Sequence, residues 1–461
     1  MPPLNDKVAA DGCVHIKIRR AICRLQQSGK LANNQLKENL AKHGHFPSKH
    51  APGLFFHKTR PISFSLVADD FGVCHQRQED AEHLVASLKK HHPIKTDWTG
   101  SCHVGIDLHW DHNNRTLKTS MKNYVKRALL QFQHPTPTKP QHSPSPFTPP
   151  NYGSKIQMAT VDNTKPMTPA QKQQLQQITG KFLYLARSVD DTTMHALNDL
   201  ATKVNTGTQT TVNALKHFLD YYATHSHPKK VYRASDMILN IHSDAAYLVA
   251  SEARSRAGGF HYLSNAKGTK LNGSVAVIAK IIKNVCSSAA EAEIAALFMN
   301  ATHAVPLINT LTELGHKQPA TPIWTDNSTA YGILNDKVNQ NRSKSIDMRY
   351  YWLRDRIRQK QFSLKWAPGA TNLADYYTKH HPAKHHKKVR PIYMAESNSP
   401  TEMQGCVDLL ALHTLAAHRA HAPILKPFSW PCGLQPAKPI PTGNPTSHTT
   451  WFPTSHHHTR H

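Results

Sequence analysis

Four acidic residues in the second half of the chain stand where carboxylate chemistry is a reasonable reading: Asp244 in IHSDAAY, Glu293 in SSAAEAEI, Asp326 in IWTDNST and Asp375 in TNLADYYTK. Hard divalent cations such as Mg²⁺ or Mn²⁺ prefer oxygen ligands, and Mg²⁺ keeps several waters, so a few converging carboxylates are enough to hold it. Two such ions about 4 Å apart activate a water, orient a phosphodiester and stabilise the leaving oxygen. Each residue also has a plainer reading. Asp244 and Asp326 suit turns or caps at strand ends, Glu293 a solvated helix face, and Asp375 a helix start. Independent caps would rarely give all four in one order of elements. Glu291 competes with Glu293, but Ser288-Ala-Ala-Glu291 reads as a capping box. That gives Glu291 a structural task and leaves Glu293 for a metal.

These residues need a scaffold that brings them together. Residues 237–243, 259–264 and 274–282 are apolar or alternating runs of strand length with Gly and Asn between them, which predicts an antiparallel meander. A long amphipathic helix follows, with Ile294, Leu297, Phe298, Ala301, Val305, Ile308 and Leu311 on one face, and Pro306 should kink it. Then come a strand at 322–325, a helical segment, a strand at 362–366 and a last helix. On this reading Asp244 ends the first strand, Glu293 lies in the first turns of the long helix, Asp326 ends the fourth strand and Asp375 opens the final helix. The order β-β-β-α-β-α-β-α is that of ribonuclease H. The expected class is therefore α/β, with a mixed five-stranded sheet and flanking helices.

Upstream, Ile62, Phe64 and Leu66 alternate into Asp69-Asp70 before Phe71-Gly72-Val73 returns, which predicts a hairpin with two carboxylates at its tip. A plain Asp-Asp turn would look the same locally. CHVGIDLHWDHNNRTLKTS reads as a second hairpin and MKNYVKRALLQF as a helix. The prolines of residues 134–152 remove donors and fix φ, so this stretch should be an extended linker. Residues 169–187 and 211–224 repeat at helical spacing. From about residue 396 the chain mixes Pro, His, Ser and Thr, which predicts a disordered tail with a short helix near 407–418.

Lys and Arg number 56 against 30 Asp and Glu, a net charge of +26 that points to a polyanionic partner or simply to solubility. Arg342, Lys344, Arg349, Arg354, Arg356 and Arg358 fall in one helical stretch, and KHHPAKHHKKVR follows the last carboxylate. Such cations position a nucleic-acid duplex without reading its sequence, although part of them is ordinary solvated surface. The seven cysteines are scattered without a C-x-x-C pair and read as free thiols. With no apolar run of about 18 residues and no signal-like N-terminus, the chain reads as soluble and intracellular, with no membrane partner. HHPAKHH and SHHHTRH could bind Zn²⁺ or Ni²⁺, but closed-site partners are lacking.

SDAAY, SRAGGFHYLS, SSAAEAEIAAL, TDNSTA, KSIDMRYYWLRD and NLADYYTK occur in this order across residues 240–380, and together they resemble the pol polyproteins of copia-type LTR retrotransposons. QQITGKFLYLARSVDDTTMHALNDLATK is similar to the family's connecting segment and SFSLVADDFG to its reverse-transcriptase hairpin, so the likeness covers residues 15–395. It implies that Asp244, Glu293, Asp326 and Asp375 are the ribonuclease H metal ligands, with Asp375 the most peripheral, and that Asp69 and Asp70 are the polymerase pair. The implied organisation is a partial reverse-transcriptase palm (1–133), a Pro-rich linker (134–168), connecting helices (169–234), a ribonuclease H-like domain (235–382) and a basic, His/Pro-rich disordered tail (383–461). The implied substrate is an RNA/DNA hybrid. Some positions depart from the pattern: Val67 replaces an aromatic, Cys23 and Arg24 replace Tyr and Gly while Gln27 fits, and the family's earlier palm aspartate would fall before Met1. The expectation is a ribonuclease H joined to a truncated polymerase that cannot extend a primer alone, with an intact reverse transcriptase as a partner in trans. The competing expectation is a non-catalytic nucleic-acid-binding remnant.

Overall fold

The computed structural model describes residues 26–149, 162–335 and 348–396. Cys23, Arg24, Arg342, Lys344, the helix expected near 407–418 and SHHHTRH lie outside the described residues. The chain opens with α1 (Gln26–Lys42), β1 (His45–Pro47), β2 (Leu54–His57), β3 (Ile62–Val67), β4 (Asp70–His75) and α2 (Gln78–Lys89). The four strands pair antiparallel in sequential order. Phe55, Ile62 and Phe64 point into a core closed by Leu40 of α1 and by Leu84 and Leu88 of α2. Val67 faces Asp70 across the β3–β4 hairpin, whose turn runs through Ala68 at φ +56°.

A second sheet comprises β5 (Cys102–His103), β6 (Ile106–Asp111), β7 (Thr116–Ser120) and β8 (Lys229–Arg233). β8 pairs with β7 from far along the chain, so residues that the sequence groups with the connecting helices complete a sheet begun upstream. Between β7 and β8 run α3 (Tyr124–Gln131), α4 (Pro169–Ser188), α5 (Met194–Thr202) and α6 (Gln209–Thr224). At α4, Thr168 and Gln171 exchange capping-box bonds (2.8 and 3.3 Å) and Pro169 takes the first helical position. Residues 134–149 form neither helix nor strand. They nevertheless lie along α6, where His134 contacts Asp220 at 2.8 Å and the Gln141 N–H donates to Thr224 Oγ1 at 2.9 Å.

The third unit runs β9 (Ile238–Ala250), β10 (Arg254–Ser264), β11 (Ser274–Ile281), α7 (Ala289–Glu313), β12 (Thr321–Thr325), α8 (Ser328–Leu334), α9 (Met348–Arg358), β13 (Phe362–Trp366) and α10 (Ala383–Tyr393). Its mixed sheet has the order β11-β10-β9-β12-β13. The first three strands are antiparallel, β12 lies parallel to β9 with Ile323 opposite Ile241, and β13 lies parallel to β12. One face packs Leu239, Ile241, Ile323 and Leu364 against Ile294, Leu297 and Ala301 of α7 and Leu353 of α9. The other packs Phe260, Tyr262 and Ala279 against Phe182 of α4, Leu197 of α5 and Tyr222 of α6. α7 is long and apolar enough to cross a membrane, but here its apolar residues cover β9 and β10. It runs unbroken through Pro306, which is exposed.

Three elements differ from the sequence expectation. β9 continues to Ala250, so Asp244 lies mid-strand, opposite Gly258, and not at a strand end. The run AAYLVA after Asp244 is as fit for a strand as the run before it, and β10 is long enough to pair with it. Asp375 opens only a 3₁₀ turn, Asp375–Tyr377, and the last helix begins at Ala383. Residues 383–396, assigned by sequence to the disordered tail, therefore include α10, which is docked. The His386 ring bridges the hydroxyls of Tyr221 and Tyr376. Arg390 donates to Asp190 and to the Tyr221 hydroxyl (3.1 and 3.0 Å), while Val389, Ile392 and Tyr393 enter the core. The basic composition conceals this because the histidine and arginine that anchor the helix count as surface residues in any compositional reading.

Candidate metal centre

Asp244, Glu293 and Asp326 come from β9, α7 and the residue after β12, and each offers a carboxylate oxygen within 4.8 Å of the others. The plainer readings of these residues fall to their neighbours. Asn327 caps α8 by accepting from the Ala330 N–H (2.9 Å), so Asp326 is not the cap. Ser288 Oγ accepts from the Glu291 N–H (3.2 Å), and the Glu291 carboxylate accepts from the Ser287 N–H and hydroxyl (2.8 and 2.6 Å). Glu291 thus ties down the start of α7, one residue earlier than an ordinary capping box. Glu293, two residues on, is buried, not solvated.

The three carboxylates are strained against ionisation. Burial, followed by the charge of nearby Asp375, raises Asp244 to about 6 even though the Thr378 hydroxyl donates to it at 2.7 Å. Burial, then Asp244 and Asp326, raises Glu293 well above the glutamate range. Its Oε1 accepts from the Ala245 N–H at 3.2 Å, while its Oε2 is buried with no hydrogen-bond partner. Burial also raises Asp326, with Asp375 adding to the effect. Converging, desolvated acids with an orphaned oxygen are what a divalent cation would relieve.

Asp375 stands at the rim, half-buried, and its Oδ1 accepts from Lys379 Nζ. Burial disfavours the Lys379 ammonium, but Asp375, assisted by Asp244 and Asp326, more than offsets this and raises it. The sequence reading grouped Lys379 only with the basic flank and missed Thr378. It also missed the parts that hold the site's backbone. Asn300, fully buried, donates to Ser243 Oγ (3.0 Å) and the Gly258 carbonyl (2.9 Å), joining α7 to β9 and β10 beside Asp244. Asn372 donates to the Ser243 carbonyl (2.9 Å). A Cβ on Gly258 would meet the Ala374 carbonyl at 2.5 Å, so glycine is what lets the segment carrying Asp375 lie against β10. The Gly-Gly pair inside a strand was a readable signal of such close backbone approach.

Asp69 and Asp70 are both exposed at the β3–β4 tip, with Asp70 Oδ2 accepting from the Val104 N–H (3.1 Å). Among the described residues, no third potential ligand joins them as Glu293 joins Asp244 and Asp326. The described α9 arginines divide between self-contained contacts and distance from the acids. Arg354 donates to the Tyr350 hydroxyl (2.9 Å), and Arg356 lies over the Trp352 ring while donating to Gln361 (3.1 Å). Gln361 lies at the start of β13, where its carbonyl accepts from the Thr321 N–H, whereas Asp326 follows the end of β12. The C-terminal half of α9, with Arg356 and Arg358, therefore sits at the opposite end of these strands, roughly 15 Å of strand away. Arg349 opens the same helix.

A different cluster, His45, His57 and His83, lies against β1, β2 and α2, with ring nitrogens within 4.8 Å. Both nitrogens of His57 are engaged: Nδ1 accepts from the Thr59 and Arg60 N–H groups, and Nε2 faces the His43 carbonyl. Two imidazoles remain, short of a closed zinc set.

No protein-family model matches the chain. Over 329 residues it is 22% identical to the retrovirus-related Pol polyprotein from transposon TNT 1-94 of Nicotiana tabacum; the match covers 70% of this chain and 24% of that polyprotein. The chain thus spans about a quarter of the relative's length. Among solved structures it is similar to the N-terminal RNase H domain of rv2228c from Mycobacterium tuberculosis, with 15% identity, TM-score 0.23, and 31% of this chain and 91% of that chain covered. It is also similar to RNase H1 from Halobacterium salinarum NRC-1, with 17% identity, TM-score 0.20, and coverage of 30% and 90%.

Proposed function

We propose that residues 235–382 are a metal-dependent ribonuclease H that cuts the RNA strand of RNA/DNA hybrids, within a retrotransposon-derived polyprotein whose upstream part is a reverse-transcriptase palm. The observation that carries the reading is the convergence of Asp244, Glu293 and Asp326, from three separate elements, on a sheet of order β11-β10-β9-β12-β13. The likeness to a Pol polyprotein supports it. Asp244, Glu293 and Asp326 would hold the divalent ions, Mg²⁺ or Mn²⁺, with Asp375 as an outer ligand once released from Lys379. When bound, the ions supply an activated water and stabilise the leaving oxygen. Thr378 orients Asp244 by its 2.7 Å hydrogen bond, and the Ala245 N–H holds one oxygen of Glu293 and leaves the other unpartnered. Trp366 Nε1 donates to the Asp326 carbonyl (3.0 Å), steadying the backbone at the third ligand.

The test is cleavage by the purified chain of a labelled RNA/DNA hybrid, single-stranded RNA and duplex DNA, with Mg²⁺ or Mn²⁺. The expected result is cutting of the RNA strand of the hybrid alone. Hybrid binding without cutting under either ion would favour the non-catalytic remnant. The Asp69-Asp70 hairpin is read as the polymerase pair of that palm, and with no third ligand joining it among the described residues it should not extend a primer by itself.

A further inference from the structure

The duplex has to be held near the acids, and Arg356 and Arg358 of α9 lie at the far end of the strands from them. α10 does the opposite. The ring of His381 stacks on Tyr376 (4.7 Å, 6° between planes) and on His385 (4.7 Å, 25°), so one continuous stack leads from the turn bearing Asp375 to the first turn of α10. The charge of Asp375 is felt at both His381 and His385. Lys379, which contacts Asp375, marks the start of this path.

The helix is held rigidly on one side and charged on the other. His386, Val389, Ile392 and Tyr393 are buried, and Arg390 is fixed on Asp190 and Tyr221. Lys384, Lys387 and Lys388 are exposed and, at i, i+3 and i+4, share one face. No Asp or Glu occurs between Asp375 and Glu396. A polyanion laid along this face would meet several cations at once.

We infer that the exposed face of α10, with Lys384, Lys387 and Lys388, is the track that holds the phosphate backbone of the RNA/DNA hybrid beside the acidic cluster. The inference rests on the ribonuclease reading for its choice of polyanion. Contacts of this kind read charge and not sequence, so they should contribute affinity and salt dependence without base preference.

The experiment measures binding of a labelled RNA/DNA hybrid to the full chain in EDTA by fluorescence anisotropy across a salt series, with cleavage in Mg²⁺ measured separately. Lys384→Gln/Lys387→Gln should weaken binding about tenfold and reduce the log–log salt slope by about 2. Arg358→Gln, at the far end of the strands, should leave both unchanged. Thermal melts of the variants matching the parent protein keep the comparison one of binding and not of folding. An unchanged slope and affinity in the double lysine variant would overturn the track, and so would equal losses from Arg358→Gln. If the parent protein binds through these lysines but cuts nothing, the track stands and the ribonuclease reading fails. If it cuts hybrid with no dependence on them, the reverse holds.

Discussion

Asp244 and Glu293 are buried and Asp326 half-buried where β9, β12 and the first turns of α7 meet, while Asp69 and Asp70 stand in open solvent at the tip of a hairpin. The first three come from elements far apart in sequence, and packing forces them together against their own repulsion. Asp244 is raised to about 6 and Glu293 has an oxygen with no partner. The second two are neighbours in the chain, so their proximity costs nothing and is weak evidence of anything. Carboxylates that a fold holds together at an electrostatic cost require an explanation, and a bound cation is the simplest one.

The contrast is tested most severely by removing one charge at a time. Asp244→Asn, Glu293→Gln and Asp326→Asn should each lower hybrid cleavage about a thousandfold or more, with binding in EDTA nearly unchanged. Gel assays of cleavage beside anisotropy of binding separate the two, and a variant that keeps full activity removes that residue from the ligand set. Gly258→Ala should also cut activity deeply. Its Cβ would push the Ala374 backbone, and Asp375 with it, away from β10; loss of stability without loss of cleavage per folded molecule would contradict this.

A second consequence concerns pH. The folded-state pKa of Asp244 is raised from 3.8 to about 6, so its contribution to stability is fully present below 3.8 and is lost as pH rises through about 6. The loss is on the order of 3 kcal/mol at most. Glu293 and Asp326 shift in the same direction. Melting temperature in EDTA should therefore fall across this window, Mg²⁺ should restore it, and Asp244→Asn should flatten the profile. A melting temperature that rises with pH would break the electrostatic account.

Smaller effects are expected elsewhere. Asp375→Asn should reduce cleavage by a modest factor, because its carboxylate is shared with Lys379 at the rim. Glu291→Gln should change little, since glutamine still accepts from Ser287. Asp69→Asn and Asp70→Asn should leave both hybrid cleavage and stability unaffected, and the parent chain should show no primer extension. Extension that disappears in these two variants would show that the exposed pair is a working site after all.

By itself the sequence determined the order of strands and long helices around the large sheet, the approximate places of its five strands, and the β3–β4 hairpin. Each rests on information local to a few turns or a single strand: side-chain period, capping residues and turn chemistry. Only the tertiary structure decided the rest. The length of β9 depends on β10 being there to pair with it, so no local rule places Asp244 mid-strand. α10 is helical and docked because Tyr221, Tyr376 and Asp190, from other parts of the chain, receive His386 and Arg390. α9 and α10 are both basic in sequence. Only packing distinguishes them: α9 sits in the core with α7 and ends by the start of β13, while α10 sits in the core with α4 and α6 and begins a few residues after Asp375. Charge can be read along a chain, but distance from a site is a property of packing between residues that the chain itself keeps far apart.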